Sequence, residues 1–160
     1  MEIQALVSKS SFGYARRRSQ GFDLNRLSLL VAVLEKRIGL SLEAEDIFVN
    51  VVGGIKVEDP AADLAVAVAV ASAFLDRPVV WDTVVLGEVG LTGEIRSISQ
   101  PVVRISEAEK LGFKKCLLPK NNLKALKDRS NKIDLAGVLT LKEALDISIQ
   151  EVKQKPASKK

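Results

Sequence analysis

The sequence contains no histidine and a single cysteine, and both shortages exclude chemistry. Without histidine the chain cannot build a Ser-His-Asp or Cys-His nucleophile system or a histidine-ligated metal site. Most hydrolase mechanisms are therefore excluded, and we expect no metal site. Cys116 cannot form an internal disulfide, and low cysteine usage suits a reducing compartment. We expect Cys116 to be an inert, buried thiol.

Aromatic residues and long apolar runs are also scarce. Phe, Trp and Tyr supply 4% of the 160 residues and apolar residues 47%, so the core must consist of Val, Leu, Ile and Ala. The length suits one domain, which we expect over residues 1–152, with a disordered basic tail at 153–160. The uncharged stretch between Asp63 and Asp76 is shorter than the roughly 20 residues of a membrane span. No membrane partner is expected, and the start MEIQALVSK resembles neither a secretory signal nor a transit peptide.

The net charge of +4 is unevenly distributed along the chain. Lys and Arg outnumber Asp and Glu by 7 to 3 in residues 1–37 and by 14 to 7 in residues 100–160, but are outnumbered 3 to 10 in residues 38–99. Two basic ends fit a polyanion such as nucleic acid, although basic segments also serve solubility.

Strands and helices interleave, which predicts an α+β fold (α/β, two-layer) with a mixed sheet covered by helices. After an opening strand, residues 9–22 read as a long basic loop. A helix begins after Asp23 or Asn25 and ends before Gly39, and a strand at 46–52 is expected to pair with a returning strand at 55–57. Asp59 and Pro60 begin a buried, alanine-rich helix. Further strands are predicted at 84–89, 94–98, 115–118 and 133–138, further helices at 101–111 and from Thr140, and helical turns at 121–127.

No phosphate-binding loop of the GxxxxGK[ST] or GxGxxG type is present. Gly87, Gly90 and Gly93 recur every three residues, but turn glycines explain them better than a ligand does. The acidic residues Glu58, Asp59 and the nearby Asp63 surround a helix start. Capping and interaction with the helix dipole explain them better than acid-base catalysis or metal binding.

The most suggestive local feature is the run Arg16-Arg17-Arg18, preceded by Phe12 and Tyr14. On a flexible loop, successive arginines can contact phosphates while an aromatic ring stacks on a base. A solvated loop or a contact with a protein partner explains the run nearly as well.

Three segments together resemble one family: FVNVVGGIKVEDPAADLAVAVAVAS, DRPVVWDTVVLGEVGLTGEIRSI and RISEAEKLGFKKCLLPKNN. They resemble the C-terminal domain of the RadA (Sms) family of bacterial DNA repair proteins, which is itself similar to the proteolytic domain of Lon protease. The opening EIQALVSKSSFGYARRRSQGFDLNRL fits the start of that domain, so the resemblance covers nearly the whole chain. It implies a Lon proteolytic-domain-like fold.

The likeness to Lon allows one test. Lon-type proteases use a serine in DGPSAG and a lysine in GGLKEK. Here Ala61 stands at the serine position and Val102 at the lysine position, with Arg104 two residues later. The resemblance therefore implies a degenerate protease domain that is not an enzyme, and a Ser-Lys peptidase is a remote alternative.

The resemblance further implies a hexameric ring, and DNA contact during recombinational repair and branch migration. A pure oligomerisation or docking scaffold is the alternative. The full-length protein is expected to be a DNA-dependent ATPase or helicase, and ATP, Mg and Zn to bind only outside this chain. Expected partners are single-stranded or duplex DNA, further copies of the chain and a recombinase of the RecA type. The location would be the bacterial cytoplasm, or a plastid or mitochondrion if the source is a plant. The candidate DNA-contacting residues are Lys9, Arg16, Arg17, Arg18, Lys114, Lys115 and Lys120.

Overall fold

Strands and helices interleave along the chain, and the predicted α+β class is confirmed. The computed structural model describes residues 1–11, 14–126 and 132–150. The predicted tail at 153–160 and the end of the predicted turns at Lys127 lie outside these ranges. The strands are β1 (Ile3–Lys9), β2 (Arg17–Gln20), β3 (Glu45–Val51), β4 (Thr83–Val85), β5 (Glu88–Val89), β6 (Ile95–Arg96), β7 (Lys115–Pro119) and β8 (Asp134–Val138). The α-helices are α1 (Leu24–Val33), α2 (Asp63–Leu75), α3 (Pro101–Lys110) and α4 (Leu141–Ser148).

Three shorter helical segments complete the description. A π-helical turn, Leu34–Ile38, extends α1 to Gly39, whose φ of 84° ends it, so the predicted helix end is confirmed. A 3-10 turn, Pro60–Ala62, leads into α2, and a second 3-10 segment, Lys120–Leu126, follows β7. No helix in the described ranges combines the length and the apolar character needed to cross a membrane.

The first sheet has the order β1-β3-β2, with β1 antiparallel and β2 parallel to β3. This arrangement overturns the predicted pairing of residues 55–57 with β3. Both edges of β3 are already occupied by β1 and β2, so a returning segment finds no free hydrogen bonds there. Val57 forms an isolated bridge with Phe22 instead.

The predicted basic loop at 9–22 is also wrong over part of its length. Arg17–Gln20 forms β2, which is in register with Ile47–Asn50 of β3. The segment has polar side chains, but a strand needs only one face against the core. The backbone hydrogen bonds to β3 therefore outweigh its weak local preference.

The other strands form two further sheets rather than the single mixed sheet predicted. β4, β7 and β8 form a parallel sheet in the order β4-β7-β8, and β5 pairs with β6 in an antiparallel hairpin. The strand predicted at 84–89 is divided because Gly87 leaves the sheet to contact the start of α2. There it donates to the carbonyl of Ala61 (2.9 Å) and accepts from the amide of Leu64 (3.0 Å). A Cβ at Gly87 would lie 2.9 Å from the side chain of Ile95, so only glycine fits without movement.

Helix α2 is the centre of the main core. Its apolar side chains are buried on most sides, among them Leu64, Val66 and Val70, which are at most 1% exposed. It packs against β1, α1 and α4. A smaller core lies on the other face of the parallel sheet: on β7, Leu117 faces the main core, while Cys116 and Leu118 face α3. β7 is therefore buried on both faces, as is usual in parallel sheets.

A buried carboxylate fixes the start of α2. Asp63 is 1% exposed, and its two oxygens accept hydrogen bonds from the guanidinium of Arg26 on α1. One of them also accepts from the amide of Val89 on β5, at 3.2 Å. The hydrogen bonds that Arg26 donates to Asp63 raise the pKa of Arg26. Among the described residues, the charge of Asp63 is balanced by the guanidinium of Arg26 and further stabilised by the amide of Val89. Asp63 therefore connects α1, α2 and β5.

The substitution Asp63→Asn tests this connection. It removes the charge opposite Arg26, and we expect a loss of about 2 kcal/mol in the free energy of unfolding, because the Arg26 side chain keeps some access to water. Urea denaturation followed by circular dichroism measures the loss. The control is Glu107→Gln, which breaks an exposed ion pair with Lys110 and should change stability by less than about 0.5 kcal/mol. Equal effects of the two substitutions would contradict the assigned role.

The thiol of Cys116 is fully buried, as expected. Burial raises its pKa to about 12, so almost no thiolate exists at neutral pH. We therefore expect Ellman's reagent to react with the folded chain at pH 8 only at the rate of unfolding, and at once in guanidinium chloride. Rapid labelling of the native chain would contradict this expectation.

Candidate nucleic-acid interface

The three consecutive arginines of the sequence do not form one cluster. β2 begins at Arg17, and neighbouring residues of a strand point to opposite faces. Arg17 is half-buried on the inner side, whereas Arg18 is exposed on the outer side. The two side chains therefore cannot contact the same phosphate group.

Two of the arginines have acidic or carbonyl partners in the fold. The Arg16 amide donates to Asp46 (2.8 Å), and its guanidinium lies 3.6 Å from the same carboxylate. Arg17 donates to the carbonyl of Leu42 (3.2 Å) and lies 4.0 Å from Glu35. These contacts give Arg16 and Arg17 structural roles. Arg18 has no such contact among the described residues.

Lys9 lies near the arginines, at the end of β1. Lys9 is opposite Glu45 in the register of β1 and β3, and Arg17 is opposite Ile47. Both basic residues thus lie at the same end of the first sheet. Tyr14 is 85% exposed in the connecting segment, while Phe12, proposed to stack on a base, lies outside the described residues.

The second predicted set of basic residues is divided by β7. Lys114 and Lys115 precede and begin the strand, and Lys120 follows its end. Lys120 is five positions beyond Lys115 along extended backbone, which corresponds to roughly 16 Å. Both Lys114 and Lys115 donate their backbone amides to the carbonyl of Asp82 (3.0 and 3.1 Å). One phosphate cannot bridge the two ends.

The first sheet has an open outer face that was not predicted from the sequence. We use the term outer sheet face for six residues on the side away from α1 and α2: Gln4, Leu6, Arg18, Gln20, Phe48 and Asn50. They line most of a groove of about 640 Å³. The alternation of polar and apolar residues in β1 and β3 is the signal that could have identified this face.

The positions compared with the Lon dyad lie on two elements, the 3-10 turn before α2 and helix α3. Ala61 is 2% exposed in the 3-10 turn, and Val102 is 42% exposed on α3. Between these elements, Arg104 donates to Asp59 (2.5 Å) and to the carbonyl of Ser99 (2.8 Å). Burial raises the pKa of Asp59, but the Ala61 amide and the Arg104 guanidinium more than offset this and lower it overall. Asp59 accepts from the Ala61 amide, so its predicted capping role is confirmed.

Metal binding is the other kind of site considered for this chain. Within the described ranges, no group of three or more Asp, Glu or Cys side chains is arranged to hold a metal ion.

Comparison with known proteins identifies the family. A family model described as subunit ChlI of Mg-chelatase matches residues 28–122, more than half of the chain. The chain belongs to the ChlI family. The matched range of this ChlI-family chain includes β3, α2 and β7, and so most of the main core.

The predicted resemblance to RadA proteins is confirmed. DNA repair protein RadA of Bacillus subtilis (strain 168) is 47% identical over 149 residues, which are 93% of this chain and 32% of that protein. RadA of Listeria monocytogenes is 49% identical over 148 residues, or 91% of this chain and 32% of that protein. RadA of Halalkalibacterium halodurans is 46% identical over 149 residues, or 93% and 32%. The ChlI-family chain spans about a third of the length of the curated relatives it matches.

These findings correct the expected relation to proteases. The matched family model is described as a subunit of Mg-chelatase, and the relatives are named DNA repair proteins. Neither description is that of a protease. The prediction of a degenerate protease domain that is not an enzyme is therefore wrong. The likeness of the fold to the Lon proteolytic domain is a separate inference and stays a prediction of the sequence.

The different positions of Arg17 and Arg18, one half-buried and one exposed, can be tested by measuring the stability of two variants. Arg17→Ala removes the half-buried hydrogen bond to Leu42, and we expect a loss of about 1 kcal/mol. Arg18→Ala removes an exposed side chain and should change stability by less than about 0.5 kcal/mol. Urea denaturation of both variants measures the difference, and a larger effect of Arg18→Ala would contradict the assignment of faces.

Proposed function

We propose that the chain is a DNA-contacting, ring-forming module of a bacterial DNA repair protein of the RadA kind. The observation that carries the proposal is the identity of 46–49% with RadA proteins over at least 90% of the chain. Arg18 is exposed beside an open sheet face and has no acidic partner among the described residues, which supports the DNA contact.

The activity of the full-length protein belongs to the same proposal. We place the module in a protein that acts in recombinational repair and branch migration, in the bacterial cytoplasm, together with a recombinase of the RecA type. ATP, Mg²⁺ and Zn²⁺ would bind in the two thirds of the relatives that this chain does not span.

The DNA contact is assigned to basic side chains that are free to reach phosphates. Arg18 and Lys114 are exposed and lack acidic partners among the described residues. Arg16 and Arg17, by contrast, would have to give up their contacts with Asp46 and Leu42 before they could reach a phosphate. We therefore rank Arg18 and Lys114, together with Lys9 and Lys120, which are likewise exposed, above Arg16 and Arg17 as phosphate contacts.

A salt titration tests this ranking. Each phosphate contact with duplex DNA contributes about 0.9 to the slope of log K against log salt. We expect Arg18→Ala to weaken duplex binding and to reduce the slope by about this amount, as measured by fluorescence anisotropy. The matched control is Arg77→Ala, which removes the same charge from an exposed position after α2 and should leave the slope unchanged. An unchanged slope in Arg18→Ala would exclude this residue as a phosphate contact.

The ring contact is assigned to the surface around the start of α1. Leu24 and Leu29 are 47% and 53% exposed, and they line a groove of about 620 Å³ together with Lys56 and Glu58. Exposed apolar side chains beside charged ones are typical of protein interfaces. In a ring, this surface would meet a different surface of the next copy.

The substitution Leu29→Glu tests the ring contact. A buried charge in the interface should lower the assembly mass measured by sedimentation velocity, whereas Leu111→Glu, at a 70% exposed leucine after α3, should not. A wild-type chain that stays monomeric at high concentration would contradict the ring. A ring that binds no DNA at low salt would support the alternative, an oligomerisation scaffold without DNA contact.

A further inference from the structure

We infer that the outer sheet face binds unpaired nucleobases, so that single-stranded DNA gains a stacking contact there that duplex DNA, held by its phosphates alone, does not. The inference rests on the proposed DNA contact and specifies its ligand. The binding would combine stacking on Phe48 with a phosphate contact from Arg18.

The strand register places an aromatic ring beside a cation. Phe48, on the central strand β3, is opposite Leu6 on β1 and opposite Arg18 on β2. All three point to the same face, because residues in register across a sheet share a side. Leu6 is 61% exposed and Arg18 is exposed, so the ring of Phe48 lies between two accessible side chains.

The next row of the face offers hydrogen-bonding groups. Asn50 is opposite Gln4 on β1 and opposite Gln20 on β2. Side-chain amides can donate to and accept from the edges of bases. An aromatic ring followed by a row of amides is therefore suited to a base that stacks and a neighbouring base that is hydrogen-bonded.

The charge of the groove favours an anionic ligand. Among the residues that the structure describes, Arg18 is the one charged residue that lines it, and no carboxylate does. Glu2 lies at the rim, where it accepts a hydrogen bond from Gln4 (2.8 Å). Asp46 is 7% exposed and contacts Arg16. Helix α2 packs against β1, and α1 packs against β2, both from the inner side of the sheet. No element in the described ranges covers the outer sheet face.

The geometry distinguishes single strands from duplexes. In a duplex the flat faces of the bases are stacked on one another and cannot reach Phe48. In a single strand they are available, and stacking on aromatic side chains is the usual way in which single strands are bound. The face therefore fits unpaired bases better than a base-paired helix.

Binding of the full chain to labelled oligothymidylate and to a duplex of equal length tests the inference. Phe48→Leu keeps an apolar side chain but removes the ring. We expect it to weaken single-strand binding by about 5-fold to 100-fold and duplex binding by less than about twofold, since no phosphate contact is lost. Phe48→Tyr retains the ring, so its single-strand affinity should stay near that of the wild type.

The control is Trp81→Leu, which removes an exposed aromatic residue from the turn before β4 and should alter neither affinity. Wild-type single-strand affinity in Phe48→Leu, or equal losses for both DNA forms, would overturn the inference. A wild-type chain that binds only duplex would overturn it while leaving the proposed DNA contact intact. A chain that binds neither form would refute both.

A spectroscopic measurement gives an independent test. Phe48→Trp in a Trp81→Phe background places the sole indole of the chain on the outer sheet face. We expect single-stranded DNA to quench its fluorescence through stacking, and duplex DNA to leave it largely unchanged. Quenching by neither form would overturn the inference even if Phe48→Leu fails to fold.

Discussion

The interaction on which the structure most depends is the ion pair of the buried Asp63 with the partly exposed Arg26. A carboxylate that is 1% exposed would be very unfavourable without partners. Its partners come from two other elements, α1 and β5, so the charge is satisfied only when these elements take their places around the start of α2. The apolar helix provides most of the buried surface, and the ion pair specifies how its neighbours are arranged. We infer that Asp63 contributes more to the choice of arrangement than to net stability.

This arrangement determines which surface is left for binding. Because α1 and α2 both pack on the inner side of the first sheet, the alternate residues of β1, β2 and β3 face outward. The same register that buries Ile47 and Val49 exposes Arg18 beside Phe48. A binding face thus results from packing on the opposite side of the same strands.

The proposed functions use different surfaces of one small domain. The ring contact is placed around Leu24 and Leu29, and the DNA contact on the outer sheet face and at Lys114. Variants can therefore separate assembly from DNA binding. Such separation would suit a chain that spans about a third of the length of its relatives.

The sequence by itself determined the features that depend on local chemistry: the cap at Asp59, the end of a helix at Gly39, the α+β class and the buried Cys116. It narrowed the cap of α1 to Asp23 or Asn25, and the structure selects Asp23. Tertiary structure decided how the strands pair and which basic residues are free. β2 is a strand because β3 offers it an open edge, and no local preference in Arg17–Gln20 reveals that edge. For the same reason the run of arginines could not be divided into structural and exposed members in advance, since Leu42, Glu35 and Asp46 are distant in sequence and approach it only in the fold.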